Sequence, residues 1–197
     1  MVKVDTKEKL LQATMKLISE KGYLGATTRE IAQEAGVTEL TLFRHFGSKE
    51  KLFGQLLSGC TFLPRLKELL PELDALTYEE ALTLIAVRYL TSLKERKAMV
   101  KIMFSEMTVY PEKIKAVYNK FIDEIRSTLA TYFKTQQKKG SLRGVSPEAA
   151  SRMFMAVLTS YFRTEEIMRE HGMTKQKMEK DIREFVDIFV HGTLHHD

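Results

Sequence analysis

The side chains best placed to do chemistry in this 197-residue chain lie between Thr27 and Leu52, in the stretch TTREIAQEAGVTELTLFRHFGSKEKL. Thr28, Thr38 and Thr41 bring hydroxyls, Arg29, Arg44 and Lys49 cations, His45 an imidazole and Glu39 a carboxylate. They do not compose a catalytic set. Hydroxyls, cations and imidazoles are the groups that bond phosphate oxygens and the edges of bases in a duplex. No Ser/His/Asp or Cys/His constellation, paired-carboxylate motif or phosphate-binding loop is found elsewhere. The pattern therefore argues for a nucleic-acid reader and against an enzyme.

Groups that read DNA need rigid elements beneath them. Thr27 and Glu30 have capping-box spacing and open a helix that Gly36 closes. Thr38 can cap a second helix, Thr41 to Phe46, and Ser48 a third with Glu50 in its first turn. Ala32 stands where two short helices would cross closest, and Gly36 supplies the turn. Ile31, Ala35, Val37 and Leu42 are apolar positions that lock such a pair. Thr38, Glu39, Thr41 and Arg44 are left to face outward. This is a helix-turn-helix layout. On the helix pair alone, a plain αα-hairpin inside a bundle is the competing reading.

The continuation decides between them. Leu42-Phe43-Arg44-His45-Phe46-Gly47-Ser48-Lys49-Glu50, joined to the preceding helix pair, closely resembles the signature of the TetR family of bacterial and archaeal transcriptional regulators. The match runs over about 25 consecutive residues, and Gly22-Tyr23 and Thr27-Thr28 upstream also fit. The resemblance implies that Thr28 and Arg29 meet the DNA backbone, with Arg29 able to reach a base. It implies that Thr38, Leu40 and Thr41 face the major groove and that His45 bonds a phosphate. It implies that Lys49, at a helix start, adds its charge to the free backbone N–H groups there in holding another phosphate. Two residues depart from the family pattern. Phe43 replaces a tyrosine, which removes one hydrogen bond, ~0.5–1.5 kcal/mol. Leu40 replaces a small residue and could pack on thymine methyls or narrow the range of operators. Glu39 is awkward beside phosphates, yet a carboxylate can accept from cytosine N4.

Bulk properties agree without deciding anything. The chain is 44% hydrophobic and 29% charged, an ordinary globular composition. A net charge of +5 suits a polyanionic partner. The first 52 residues hold nine Lys/Arg against seven Asp/Glu, so placement of charge must matter more than its amount. No apolar run approaches the ~18 residues of a membrane span. The N-terminus lacks the apolar stretch of a signal peptide. Cys60 is the only cysteine, so an intrachain disulfide is impossible and a cytoplasmic location is expected.

Helical periodicity dominates, which predicts an all-α chain. Residues 1–50 are expected to form the DNA-binding domain and 51–197 a helical ligand-binding and dimerisation domain. The first helix should start near Asp5, with Glu8 completing a capping box, and end at Gly22 as a left-handed cap. A fourth helix should run toward Leu63 and stop before Pro64. Later helices are expected at about 66–70, 78–94, 97–108, 112–139, 147–170 and 175–194.

Met99, Met103 and Met107 share a helix face, with Phe104 and Tyr110 nearby. Each is read first as core. The family resemblance makes a small-molecule pocket the further expectation, with Tyr89, Met103, Met107, Tyr110, Phe121 and Phe162 as candidates. Their apolar bias suggests a hydrophobic or aromatic effector with a polar handle at Arg163 or Ser160. Met178, Ile182, Phe185, Val186, Phe189 and Val190 form a stripe on the last helix. The last two helices of two chains could form a four-helix homodimer interface, or the stripe could simply be core. His191, His195 and His196 read as an exposed tail rather than a metal site; no metal or cofactor is expected. The resulting reading is a ligand-responsive repressor that a small apolar effector releases from a palindromic double-stranded operator. The second reading is a helical small-molecule or protein-binding sensor or scaffold without DNA binding.

Overall fold

The computed structural model describes residues 5–108, 110–169 and 172–193, the side chain of Cys60 excepted. His195 and His196 lie outside the described residues. The described elements are helical, with no β-strand among them: α1 (Thr6–Gly25), α2 (Thr28–Glu34), α3 (Glu39–Phe46), α4 (Lys49–Cys60), α5 (Leu63–Leu73), α6 (Tyr78–Glu95), α7 (Lys97–Glu106), α8 (Glu112–Lys138), α9 (Pro147–Phe162), a π-helical turn (Arg163–Met168) and α10 (Lys175–Thr193). None of the described helices is long and apolar enough to cross a membrane.

Two compact units form. One joins the residues up to Thr61 with Arg96–Phe121; the other joins Phe62–Glu95 with the residues from Ile122 onward. A cut after residue 50 does not describe this division, because α4 and α7 build the first unit's core. Leu10, Leu17 and Ile18 of α1, Ile31 of α2, Leu42 and Phe46 of α3, and Leu52 and Phe53 of α4 are buried there together with Met99, Tyr110 and Ile114. Burying such side chains contributes ~1.5–3 kcal/mol apiece, and it fixes the short helices that could not persist alone.

Several helix ends differ from the sequence expectation. Asp5 has the extended backbone of an N-cap, but its side chain makes no capping bond; Glu8 accepts instead from Gln12 at 3.0 Å. Gly22 does not end α1. It breaks the helix with φ 75° and ψ 171°, a combination open essentially to glycine alone, and helical structure continues to Gly25. Pro64 does not follow a long fourth helix. α4 stops at Cys60, and Pro64 lies in the first turn of α5, where a missing N–H leaves no bond unmade.

In the second unit α6 packs on α9 and α10. Met178, Ile182, Val186 and Val190 of α10 are buried in this core, so most of the predicted α10 stripe faces inward within its own chain. Ser146 caps α9 by accepting from Ala149 N, and Pro147 opens it as expected. Past Phe162 the continuous helix expected from the sequence widens into the π-helical turn. Glu166 in that turn is buried. Its Oε1 accepts from Met173 N at 2.7 Å and lies 3.4 Å from Lys94 Nζ. Lys94 also donates to the Met173 carbonyl, so the carboxylate is neutralised and bonded where it is desolvated.

The Gly22 break generates a prediction. A Cβ built there would lie 1.7 Å from Glu106 Oε1, on a backbone that side chains avoid. Gly22→Ala should cost at least ~1–3 kcal/mol from backbone strain alone. At ~2–4 °C per kcal/mol, calorimetry should show the thermal midpoint falling by roughly 5 °C or more. Adding Glu106→Ala should relieve the clash but not the strain.

Candidate nucleic-acid interface

The reader is assembled from local bonds first. Thr27 Oγ1 accepts from Glu30 N at 3.2 Å, and Glu30 Oε2 accepts from Thr27 N at 3.0 Å, a complete capping box at the start of α2. Lys21 Nζ meets the other Glu30 oxygen at 2.8 Å. Lys21 first, and the Thr27 N–H and hydroxyl after it, hold the Glu30 carboxyl down at about 2. The turn follows at Gly36, with φ 69° and a bond from Val37 N to Ala32 O of 2.9 Å. Ala32 and Ile31 are buried beneath it.

Thr38 caps α3 through Thr41 N at 3.2 Å, and the two hydroxyls lie 2.9 Å apart. Thr28 Oγ1 donates to Glu39 Oε1 at 2.6 Å and so ties the first residue of α2 to the first of α3. Leu42 and Phe46 point into the core. That leaves Arg29, Thr38, Leu40, Phe43, Arg44 and His45 exposed, with Thr28, Glu39 and Thr41 half-buried. The structure thus brings nine of the ten sequence candidates onto α2, α3 and the turn between them. Two cations and an imidazole stand among exposed apolar groups there.

Lys49 is different. Its ammonium donates to the Tyr23 carbonyl and sits 4.3 Å from the centre of the Tyr23 ring. Burial pushes its pKa down, against the opposing pull of Glu50, Glu106 and Glu30. The Ser48 hydroxyl caps Lys51 N at 3.2 Å. It also holds the Glu50 carboxyl below its ordinary range, together with Glu50's own N–H. On the far side of Tyr23, Glu106 Oε2 of α7 accepts from Tyr23 N at 2.9 Å. The Tyr23 ring lies 5.1 Å from Phe53 and 5.8 Å from Tyr110, both at edge-inclined angles.

Residues 10–56 match the family description "Bacterial regulatory proteins, tetR family", and residues 80–192 match "AefR-like transcriptional repressor, C-terminal domain". The chain is 30% identical over 190 residues to the uncharacterized HTH-type transcriptional regulator YvkB of Bacillus subtilis, covering 95% of this chain and 96% of that one. The chain belongs to the TetR family. It is therefore a DNA-binding transcriptional regulator and not an enzyme. Solved structures agree on the fold. A chain assigned as a TetR-family transcriptional regulator from Mesorhizobium loti superposes with a TM-score of 0.80 at 23% identity, over 96% of this chain and 97% of that one. The flavonoid-responsive regulator FrrA superposes with a TM-score of 0.76 at 24% identity, over 98% of each chain.

TetR-family regulators bind small-molecule effectors as well as operators, and the six pocket candidates fall into two groups here. Met103, Met107, Tyr110 and Phe121 belong to the apolar cluster of the first unit. Tyr89 and Phe162 are buried in the second, where the Tyr89 hydroxyl lies 2.8 Å from Thr159 Oγ1. Arg163 and Ser160, expected as polar handles, are exposed. A groove of about 380 Å³ on α8 and α9 is lined by Asp123, Arg126, Lys134, Glu148 and Arg152 among others, charged chemistry unsuited to an apolar effector. His191 Nδ1 lies 2.8 Å from the Asp187 carbonyl. Sequence reasoning missed Glu106 altogether, because its partner is 83 residues away and no local pattern marks it. The Thr28–Glu39 bond carries a faint signal, a hydroxyl and a carboxylate at the two helix starts of the motif.

Lys49 gives a sharp test of its two roles. Lys49→Met should lower the thermal midpoint by a few degrees, as a charge-assisted bond worth ~1–2 kcal/mol on a half-buried group is lost. The salt dependence of DNA binding should keep its slope. A slope shallower by about one log–log unit with an unchanged midpoint would instead assign the ammonium to a phosphate.

Proposed function

We propose that this regulator is a cytoplasmic repressor that holds a palindromic operator as a homodimer and releases it on binding a small apolar or aromatic effector. The observation that carries the reading is the capped two-helix reader with an outward face on α3. Arg29, Arg44 and His45 supply its exposed phosphate-seeking groups, with Thr28 on the backbone side at the start of α2, and Thr38, Glu39, Leu40, Thr41 and Phe43 its groove-facing ones. The match of residues 80–192 to a repressor's C-terminal domain supports repression over activation.

Dimerisation through α9 and α10 is supported by what those helices leave uncovered. Met153 and Val157 on α9 and Ile188 on α10 are exposed large apolar side chains, while the inward stripe is already buried. A second copy brought to these helices by a two-fold axis would cover them. It would also present two readers to the two halves of a palindrome.

The effector reading rests on Met103, Met107, Tyr110 and Phe121 in one apolar cluster, with Tyr89 and Phe162 assigned to the second unit's share of the response. Burial pushes the Tyr110 hydroxyl well above its ordinary pKa, with the Glu106 carboxylate adding to the shift, so the phenol stays protonated. It is a polar handle in the cluster that holds Met103 and Met107, and its ring packs against those of Tyr23 and Phe53. The likeness of FrrA, a flavonoid-responsive regulator, supports a planar aromatic ligand. Release requires that the effector bind the DNA-free state more tightly than the DNA-bound one.

A titration of the full chain against the duplex upstream of its own gene tests this. The chain should retard that duplex with two protomers per site. A saturating flavonoid should weaken the complex at least ~10-fold, about 1.4 kcal/mol of coupling. Retardation that ignores every aromatic effector bound by the protein would remove the release mechanism.

A further inference from the structure

Leu40 is 78% exposed, the highest value among the large apolar side chains described, and Phe43 one turn later is 42% exposed. At spacing i, i+3 they share one face of α3. Neither serves the core, which Leu42 and Phe46 of the same helix supply. An apolar pair kept in water on a short helix, beside Arg44 and His45, is a surface awaiting an apolar partner.

Within the major groove the apolar feature offered by a base pair is the C5 methyl of thymine. Glu39, one residue before Leu40, adds a second constraint. Thr28 holds its Oε1 at 2.6 Å, which fixes the carboxylate at the front of α3. Its Oε2 accepts no hydrogen bond from the described residues. A fixed carboxylate oxygen accepts a hydrogen bond from an N–H and is repelled by lone pairs. Guanine offers O6 and N7 and thymine O4, all acceptors. Adenine offers an amine flanked by the N7 lone pair, whereas cytosine offers the N4 amine without one.

We infer that this chain selects its operator by a thymine methyl seated on Leu40 and Phe43 and a cytosine N4 amine bonded to Glu39, the two bases within two steps of each other. The spacing follows from geometry: residues 39 to 43 span about 6 Å of helix axis, and a base step is about 3.4 Å. Thr28 is then a positioning residue, since it orients Glu39 without touching a base. The inference rests on α3 being the element that enters the groove.

Selection of duplexes from a randomised pool by the full-length protein supplies the operator. Each thymine is then replaced in turn by deoxyuridine, which lacks only the methyl group, and affinity is read by anisotropy. For the wild type, one thymine per half-site should lose about three- to five-fold in affinity on replacement. Leu40→Ala, a change at an exposed site that leaves the core intact, should bind thymine and uracil operators equally. Replacing the neighbouring C·G pair by T·A should cost the wild type about tenfold or more, and Glu39→Ala should erase that preference. A tightly bound operator in which no uracil replacement matters, or a Leu40→Ala chain that keeps the uracil penalty, overturns the inference while leaving DNA binding intact. Failure to select any duplex overturns the DNA-reading role of α3 itself.

Discussion

The reader is held in place at one residue. At Tyr23 the backbone N–H is bonded to Glu106 of α7 and the carbonyl to Lys49 of α4. Gly22 makes this possible. Its positive φ turns the chain out of the helical ladder, and a break in a buried helix leaves polar groups that must find partners. A carboxylate and an ammonium fill those places, so the two bonds are charge-assisted and stronger than the backbone bonds they replace. The Tyr23 ring packs on Phe53 and Tyr110 beneath them, and burial lifts its hydroxyl to about 12. Three elements, α1, α4 and α7, thus meet at a single residue just upstream of α2.

The consequences run outward from there. With α1 fixed, the capped α2 and the turn at Gly36 set the direction of α3. The Thr28–Glu39 bond then ties the front ends of the two reading helices together. What remains outside is a face of cations, an imidazole and two unburied apolar side chains. Because α7 follows α6 after a single intervening residue and α8 continues past the boundary at Phe121, the chain itself links the element that carries Glu106 to the second unit. There Glu166 and Lys94 pin the π-helical turn to the end of α6.

Much of this architecture was legible because it is local. Capping residues act within three positions, so Thr27, Thr38 and Ser48 could be read directly, and the structure places each at a helix start. Asp5 had the same spacing and makes no capping bond. Glycine and proline marked boundaries without fixing their kind: Gly22 proved to be a break inside a helix, and Pro64 a beginning. The amphipathic stripe of α10 identified a buried face but not what buries it. The inward face is covered by α6 of the same chain, while Met153, Val157 and Ile188 stay exposed. Glu106 and Glu166 were invisible, because a carboxylate whose partner lies far along the chain leaves no trace in spacing.

The central claim is that Glu106 and Lys49 fix the backbone of Tyr23 and thereby the reader. Amide hydrogen exchange at Tyr23, in the wild type and in Glu106→Ala, tests it most directly. The account predicts that the wild-type Tyr23 amide exchanges as slowly as the buried amides of α1. In Glu106→Ala it should exchange at the rate of an open loop, while the amides of α3 keep their protection. A Tyr23 amide that already exchanges rapidly in the wild type, or one unaffected by loss of the Glu106 carboxylate, would contradict it.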